Sequence, residues 1–217
     1  MKSFLSVAVM VTGMMIAPSV GAATLTPGYN ASLLSADTVG TRYRSQATSN
    51  EHYVGVNDLG VGSNRSEAGH VWVPGMIDFA FSYNSLSGLI SSTLGTNTIT
   101  FDGTKGLVSD ALKLTLSNRS KKTAVFTVSD LEVNGDPIAD LMCANYCDWM
   151  VTDFPVLSAL NVTGKINFEG MMDFNDQERV KFEITSSAIT PVPLPAAGLM
   201  LLTGIGGLVV MRRKRPT

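Results

Sequence analysis

The chain has 217 residues, with 16 Lys and Arg against 18 Asp and Glu for a net charge of −2. Five of the cations, Lys2, Arg212, Arg213, Lys214 and Arg215, lie at the two ends, so residues 23–190 hold 11 cations against all 18 acids, a balance of −7. A domain of that sign is repelled by nucleic acid and by anionic headgroups, and nucleic acid is excluded as a partner.

Read from the start, Lys2 supplies a cation, "FLSVAVMVTGMMI" an uncharged apolar core, and "APSVGAA" the small-residue exit that a signal peptidase reads. Residues 1–22 are a secretory signal peptide on this reading, cut after Ala22 or Ala23 by signal peptidase once the chain enters the secretion translocon. An uncleaved anchor would not need that exit. The remaining roughly 170 residues up to position 190 suffice for one core and do not require two.

Residues 24–50 carry few large apolar side chains and no sustained period, which reads as an extended lead-in or a loose edge. From "HVWVPG" onward a period of two takes over. Ile77, Phe79, Phe81 and Tyr83 share one face of an extended segment, as do Ile99 and Phe101, then Leu112, Leu114 and Leu116. Ala124, Phe126 and Val128 repeat the pattern, and Asn134-Gly135 is a tight-turn pair. "LNVTGKINFEG" alternates on both sides of Gly164, which predicts a hairpin there, and Val180, Phe182 and Ile184 point inward with Lys181, Glu183 and Thr185 outward. Seven to nine such strands predict an all-β, antiparallel two-sheet sandwich over residues 23–190, with jelly-roll or immunoglobulin-like topology left open. A single helix at 109–116 or 138–144 stays as an option.

Cys143 and Cys147, in "CANYC", belong to a chain bound for an oxidising compartment, where a local disulfide is the favoured state. A redox pair would have two intervening residues rather than three, and a zinc site would need more than His52 and His70 to complete it.

The end of the chain has three parts. Val192, Pro193, Leu194, Pro195 and Ala196 form a proline-spaced segment, the charge-free run continues to Met211, and Arg212, Arg213, Lys214 and Arg215 follow. Counted from Val192 the run is 20 residues, about 30 Å as a helix, which just spans a hydrocarbon core. The four cations stay on the cytoplasmic side. Pro193 and Pro195 hold the flanking segment extended, the form a protease cleft accepts.

This three-part order resembles the VPLPA-CTERM sorting signal, a variant of the PEP-CTERM class of exported bacterial proteins. The resemblance implies a motif at 192–196, a transmembrane helix at 196–211 and a basic stop at 212–215 within a sorting domain at 191–217. It also implies an exosortase-type membrane transpeptidase as partner, which removes the helix and passes the protein to the cell surface or extracellular matrix. Leu194 stands where the parent class has Glu, so the enzyme would be one for the variant signal. The alternative for the same run is a single-pass anchor that is never cut. Upstream, "GYNASLLSADT", "HVWVPGMIDFAFSYN" and "VSDLEVNG" are similar to the choice-of-anchor W type of exported domain, which implies a surface β domain without assigned chemistry.

Catalytic patterns are scarce. No GxSxG occurs, only His52 and His70 could act as imidazole bases, and His70 beside Trp72 reads as a strand-end histidine. Asp173, Asn175, Asp176 and Glu178 in "DFNDQE" offer oxygen ligands of the kind calcium prefers, without the spacing of an EF-hand, and a polar turn accounts for them equally. The glycines of residues 55–69 read as a ligand loop or a plain surface loop. Trp72, Tyr83, Tyr146 and Trp149 would stack on sugars if exposed, and Trp72 and Trp149 fit the core better. The expectation is an exported, non-catalytic structural or adhesive protein without a cofactor, passing through the inner membrane on its way to the surface or to extracellular polysaccharide. A carbohydrate-binding module, calcium-dependent or not, is the alternative, and a glycoside hydrolase built on two carboxylates is a third reading.

Overall fold

Alternating apolar side chains build strands almost throughout the computed structural model, which describes residues 22–28, 35–45, 51–155, 158–171 and 179–188. The first seven strands are β1 (Thr24–Pro27), β2 (Val39–Arg44), β3 (His52–Val56), β4 (Arg65–Ala68), β5 (Gly75–Asn84), β6 (Leu89–Leu94) and β7 (Asn97–Asp102). The remaining six are β8 (Ala111–Asn118), β9 (Val125–Val133), β10 (Asp136–Pro137), β11 (Tyr146–Thr152), β12 (Ala159–Glu169) and β13 (Val180–Ser187). Every pairing is antiparallel. One sheet runs β1-β11-β8-β13-β2-β3-β4 and the other β10-β9-β12-β5-β6-β7.

The two sheets face each other over one core. Leu112, Leu114, Leu116, Phe182 and Ile184 come from the seven-stranded sheet, and Phe79, Phe81, Ile90, Phe126, Ile166 and Phe168 from the six-stranded one. Burying a side chain of this size stabilises the fold by roughly 1.5–3 kcal/mol, so the inner faces hold the sheets together. The topology is compact in its first half, where β2-β3-β4 and β5-β6-β7 are meanders. From β8 onward the chain passes repeatedly between sheets, and β13 ends in the middle of the first sheet beside β2.

The inward rows at 79–83, 112–116, 124–128 and 180–184 lie where the alternation puts them, all buried. Other expectations need correction. Gly164 is no turn, because β12 runs unbroken through it, paired with β5 from Ala159 to Phe168. Phe79 on β5 covers the space a side chain at 164 would take, and a Cβ there would stand 2.9 Å from its ring. Residues 39–44 are no loose edge either. β2 lies between β13 and β3, with Val39, Thr41 and Tyr43 buried. The two helix options are strand β8 and an extended segment bridged to β9 through Val128 and Leu141. Residues 55–69 form the β3–β4 hairpin with a short 3-10 turn at Gly62–Asn64, and Gly55 is small because the Asn64 carbonyl lies against its α-carbon.

The order of the strands puts both ends of the domain on one side. Thr24 pairs with Thr152, Val151 with Leu112, and Ser187 with Ala111, so the start of β1 and the end of β13 lie on nearly one row. They are three strand spacings apart, about 14 Å. The opposite end holds the described loop segments 69–74, 119–124 and 138–145, together with residues 45, 51, 170, 171 and 179.

Candidate functional site

Two polar constellations stand out, one inside and one outside. The inner one grows from three strands whose alternation sends polar groups inward: Thr41 and Tyr43 on β2, His52 on β3 and Ser92 on β6, all fully buried. Ser92 Oγ is the hub, 2.7 Å from Thr41 Oγ1, 2.9 Å from the Tyr43 hydroxyl and 2.7 Å from His52 Nε2. Proton counting assigns the donors. The Thr41 hydroxyl donates to the Tyr53 carbonyl at 2.7 Å, so the Ser92 proton goes to Thr41, and the two lone pairs of Ser92 accept from Tyr43 and from His52 Nε2–H. His52 is then neutral, with Nδ1 a bare acceptor, and Nδ1 has no partner among the described residues.

Burial, with His70 nearby adding to it, pulls the His52 imidazole down to about 4, which fits that tautomer. Burial also pushes the Tyr43 hydroxyl well above its ordinary range, against the pull of its hydrogen bonds to Ser92 and Thr41. A serine and a histidine in contact suggest a nucleophile and its base. Here the histidine donates to the serine, no described residue orients its other nitrogen, and both groups are fully buried, so the pair is not arranged as a nucleophile and its base.

The outer constellation lies on the exposed face of the six-stranded sheet. In "VFTVSDLEV" the buried positions run Phe126, Val128, then Leu131 and Val133, a slip of one residue. The slip is a β-bulge: β9 uses Glu132 and Ser129 against Thr163 and Lys165 of β12, with Asp130 turned to a left-handed φ of 51°. The bulge turns Asp130 outward to Lys165, whose Nζ stands 2.7 Å from Asp130 Oδ2. Asp78, Asp130, Glu132, Thr163 and Lys165 line a shallow cleft of about 340 Å³, with Gly164 and Phe79 at its floor. The Asp130 hydrogen bond and charge hold the Lys165 ammonium above its ordinary value, and Asp78 adds to them. Three carboxylates and one ammonium in a shallow cleft can accept and donate hydrogen bonds to a hydroxyl-rich ligand. Among the described residues, no group of three or more His, Cys, Asp or Glu is placed to hold a metal ion.

A third polar row crosses the outer face of the seven-stranded sheet, where Glu183 lies between Arg42 at 2.7 Å and Lys181 at 3.3 Å. Burial works to raise the Glu183 carboxyl, but the two cations outweigh it and the carboxyl lies below its ordinary value. This row ties β13 to β2 rather than facing a ligand.

Cys143 and Cys147 are joined by a disulfide. Asn118 at the end of β8 anchors the bridged loop: its amide donates to the carbonyls of Phe126 and Cys143, both at 2.8 Å, and accepts from the Phe126 N–H at 2.7 Å. His70 takes the strand-end position, with its N–H donating to Glu51 Oε2 at 2.8 Å and its ring edge-on to Trp72. Burial lowers the His70 imidazole against an opposite pull from Glu51. Trp72 closes the sandwich over Phe126, 4.5 Å between ring centres, and donates to the Arg44 carbonyl. Trp149 packs on the core, Tyr83 is buried and donates to the Thr104 carbonyl, and Tyr146 is exposed under the guanidinium of Arg119. The four aromatics therefore form no common platform.

Ala22 is exposed and Ala23 half-buried where the chain enters β1. The sorting motif Val192, Pro193, Leu194, Pro195 and Ala196, the basic stop Arg212, Arg213, Lys214 and Arg215, and the calcium candidates Asp173, Asn175, Asp176 and Glu178 lie outside the described residues. Among the described residues no helix is long and apolar enough to cross a membrane. Neither constellation was singled out from the sequence, although the slip between Val128 and Leu131 marks the bulge. No protein-family model matches the chain, and a search of curated proteins finds no match either.

Proposed function

We propose that the protein is an exported component of the cell surface or extracellular matrix, sorted through its C-terminal segment by an exosortase-type transpeptidase and serving there in a structural or adhesive, non-catalytic role. The observation that carries this reading is the order of residues 192–215, a proline-spaced motif, a charge-free run and four cations, behind an N-terminal export signal. The fold is compatible with it. The start of β1 and the end of β13 emerge on one side, so a domain held by its tail keeps its processed N-terminus near the same membrane. Mass spectrometry of the mature C-terminus, in cells with and without the sorting enzyme, tests the reading. The expected product ends near residues 192–196 only when the enzyme is present, and an intact C-terminus carrying Arg212–Arg215 in both strains overturns it.

The cleft at Asp78, Asp130, Glu132 and Lys165 favours a second reading, a carbohydrate-binding module for an extracellular polysaccharide. Retention on a panel of polysaccharides, with and without calcium, separates the two. Retention lost on Asp130→Ala supports the cleft, and calcium-dependent retention lost on Asp173→Ala and Asp176→Ala supports the acidic segment instead.

A further inference from the structure

The side of the sandwich that carries both domain ends also carries a set of exposed apolar loop tips. Ser187 Oγ donates to the Asp37 carbonyl, Asn57 donates back to Thr38, and the β3–β4 loop then rises to Val61, 46% exposed. Ala111, beside Ser187, is reached through the β7–β8 loop with Val108, 50% exposed. The Gly106 N–H donates to the Ser85 carbonyl, which ties in the β5–β6 turn with Leu86, 75% exposed. Three separate loops thus present an aliphatic side chain at the end where Ala188 leaves the fold. Ala188 is still held there, accepting from the Ser35 N–H at 3.0 Å, and only residues 189–191 separate it from the apolar run starting at Val192. Those residues reach at most about 14 Å, and about 28 Å if the motif is also stretched out.

We propose that, while the tail remains in the bilayer, this rim rests on the outer lipid surface with Val61, Leu86 and Val108 entering the headgroup layer. The proposal rests on reading residues 191–217 as a membrane-spanning sorting segment. Three aliphatic tips do not recruit a free domain to lipid, but a tether this short turns docking into an intramolecular event at high effective concentration. The opposite end has exposed Val71, Val73, Met76 and Met171 as well, yet β13 alone, at 8 residues, holds it about 26 Å from the tether. Charge then selects the lipid. Among the described residues of the rim, Asp37, Asp58, Asp102, Asp110 and Asp153 outnumber Lys105 and Arg65, so a zwitterionic surface is accepted and an anionic one resisted.

The test uses the full-length chain with its disulfide intact, labelled with an environment-sensitive fluorophore at Ser87→Cys on the rim or Lys122→Cys at the far end. Each is reconstituted in phosphatidylcholine vesicles carrying a lipid-bound quencher. Quenching at position 87 should exceed that at 122 by about threefold or more, since docked tips sit about 5–10 Å into the interface. Leu86→Asp, or phosphatidylglycerol added to the vesicles, should lower the rim signal towards the far-end value. A chain that floats with the vesicles but quenches equally at both positions overturns the docking and leaves the tail reading intact, as expected of a rim that meets only the sorting enzyme. A chain that fails to float overturns both.

Discussion

The two polar constellations draw on similar chemistry, hydroxyls and ionisable side chains, but sit on opposite sides of the six-stranded sheet. Around Ser92 every group is inside the core and nearly every donor has its acceptor. Around Asp130 the groups face water, and the one short ion pair spans exposed side chains. An interior group that loses its partner has no water to replace it, whereas an exposed one does. The first constellation therefore acts on the fold, and the second is open to a ligand.

The largest test of that contrast is Ser92→Ala. It leaves His52 Nε2–H without its acceptor in a dry site and the Tyr43 hydroxyl with the long contacts to the Ala80 and Thr93 carbonyls at 3.4 and 3.5 Å, which should cost roughly 3–4 kcal/mol. Thr93→Ala, one residue along on the outer face, removes a hydroxyl bonded to the exposed Thr98 hydroxyl and should leave the urea midpoint nearly unchanged. Equal midpoints for the two variants would break the comparison.

Acid is the next largest lever. Folded His52 takes up a proton only near pH 4, against an ordinary value of 6.5, so the unfolded chain binds the proton first. The stability tied to the neutral imidazole is complete above pH 6.5 and falls as the pH drops towards 4, by about 3 kcal/mol. His70, also lowered, acts in the same direction. Urea midpoints measured across that window should fall steeply in the parent chain and less in His52→Gln, which keeps a donor towards Ser92. Parallel slopes would assign the acid sensitivity elsewhere.

Gly164 sits where the two regions meet, cleft on one side and Phe79 on the other. Gly164→Ala puts a Cβ 2.9 Å from two ring atoms of Phe79 and should cost about 2 kcal/mol. Adding Phe79→Leu should recover part of that loss, and purely additive costs would show that the ring is not the obstacle.

These particulars explain what was legible in the sequence. Rows such as Leu112-Leu114-Leu116 and Val180-Phe182-Ile184 announce strands because one face is uniformly apolar. β2 and β3 carry no such signal because "VGTRYR" and "HYVGV" place Thr41 and His52 inward among the apolar residues, and inward polar residues break the pattern that marks a core strand. Gly164 reads as a turn because glycine usually is one, and only the partner strand shows that Phe79 needs the space. The Ser92 hub joins residues up to 51 positions apart, which no local period can express. The cleft was half legible: the slip in "VFTVSDLEV" marks a bulge, but the register against β12 decides that Asp130 meets Lys165.

The smallest structural effect belongs to the cleft, and there the comparison becomes sharpest. Asp130→Asn and Lys165→Gln each remove one partner of an exposed ion pair, so thermal and urea midpoints should stay within error of the parent. If the outer constellation binds a glycan, the same two changes should weaken retention on that polysaccharide, because they alter the charges a sugar hydroxyl would meet. Thr98→Ala, on the same face but outside the cleft lining, should leave retention alone. Losing stability without losing retention would make the pair a clasp for the β9 bulge, and Asp130 would then belong with Ser92 among the groups that act on the fold.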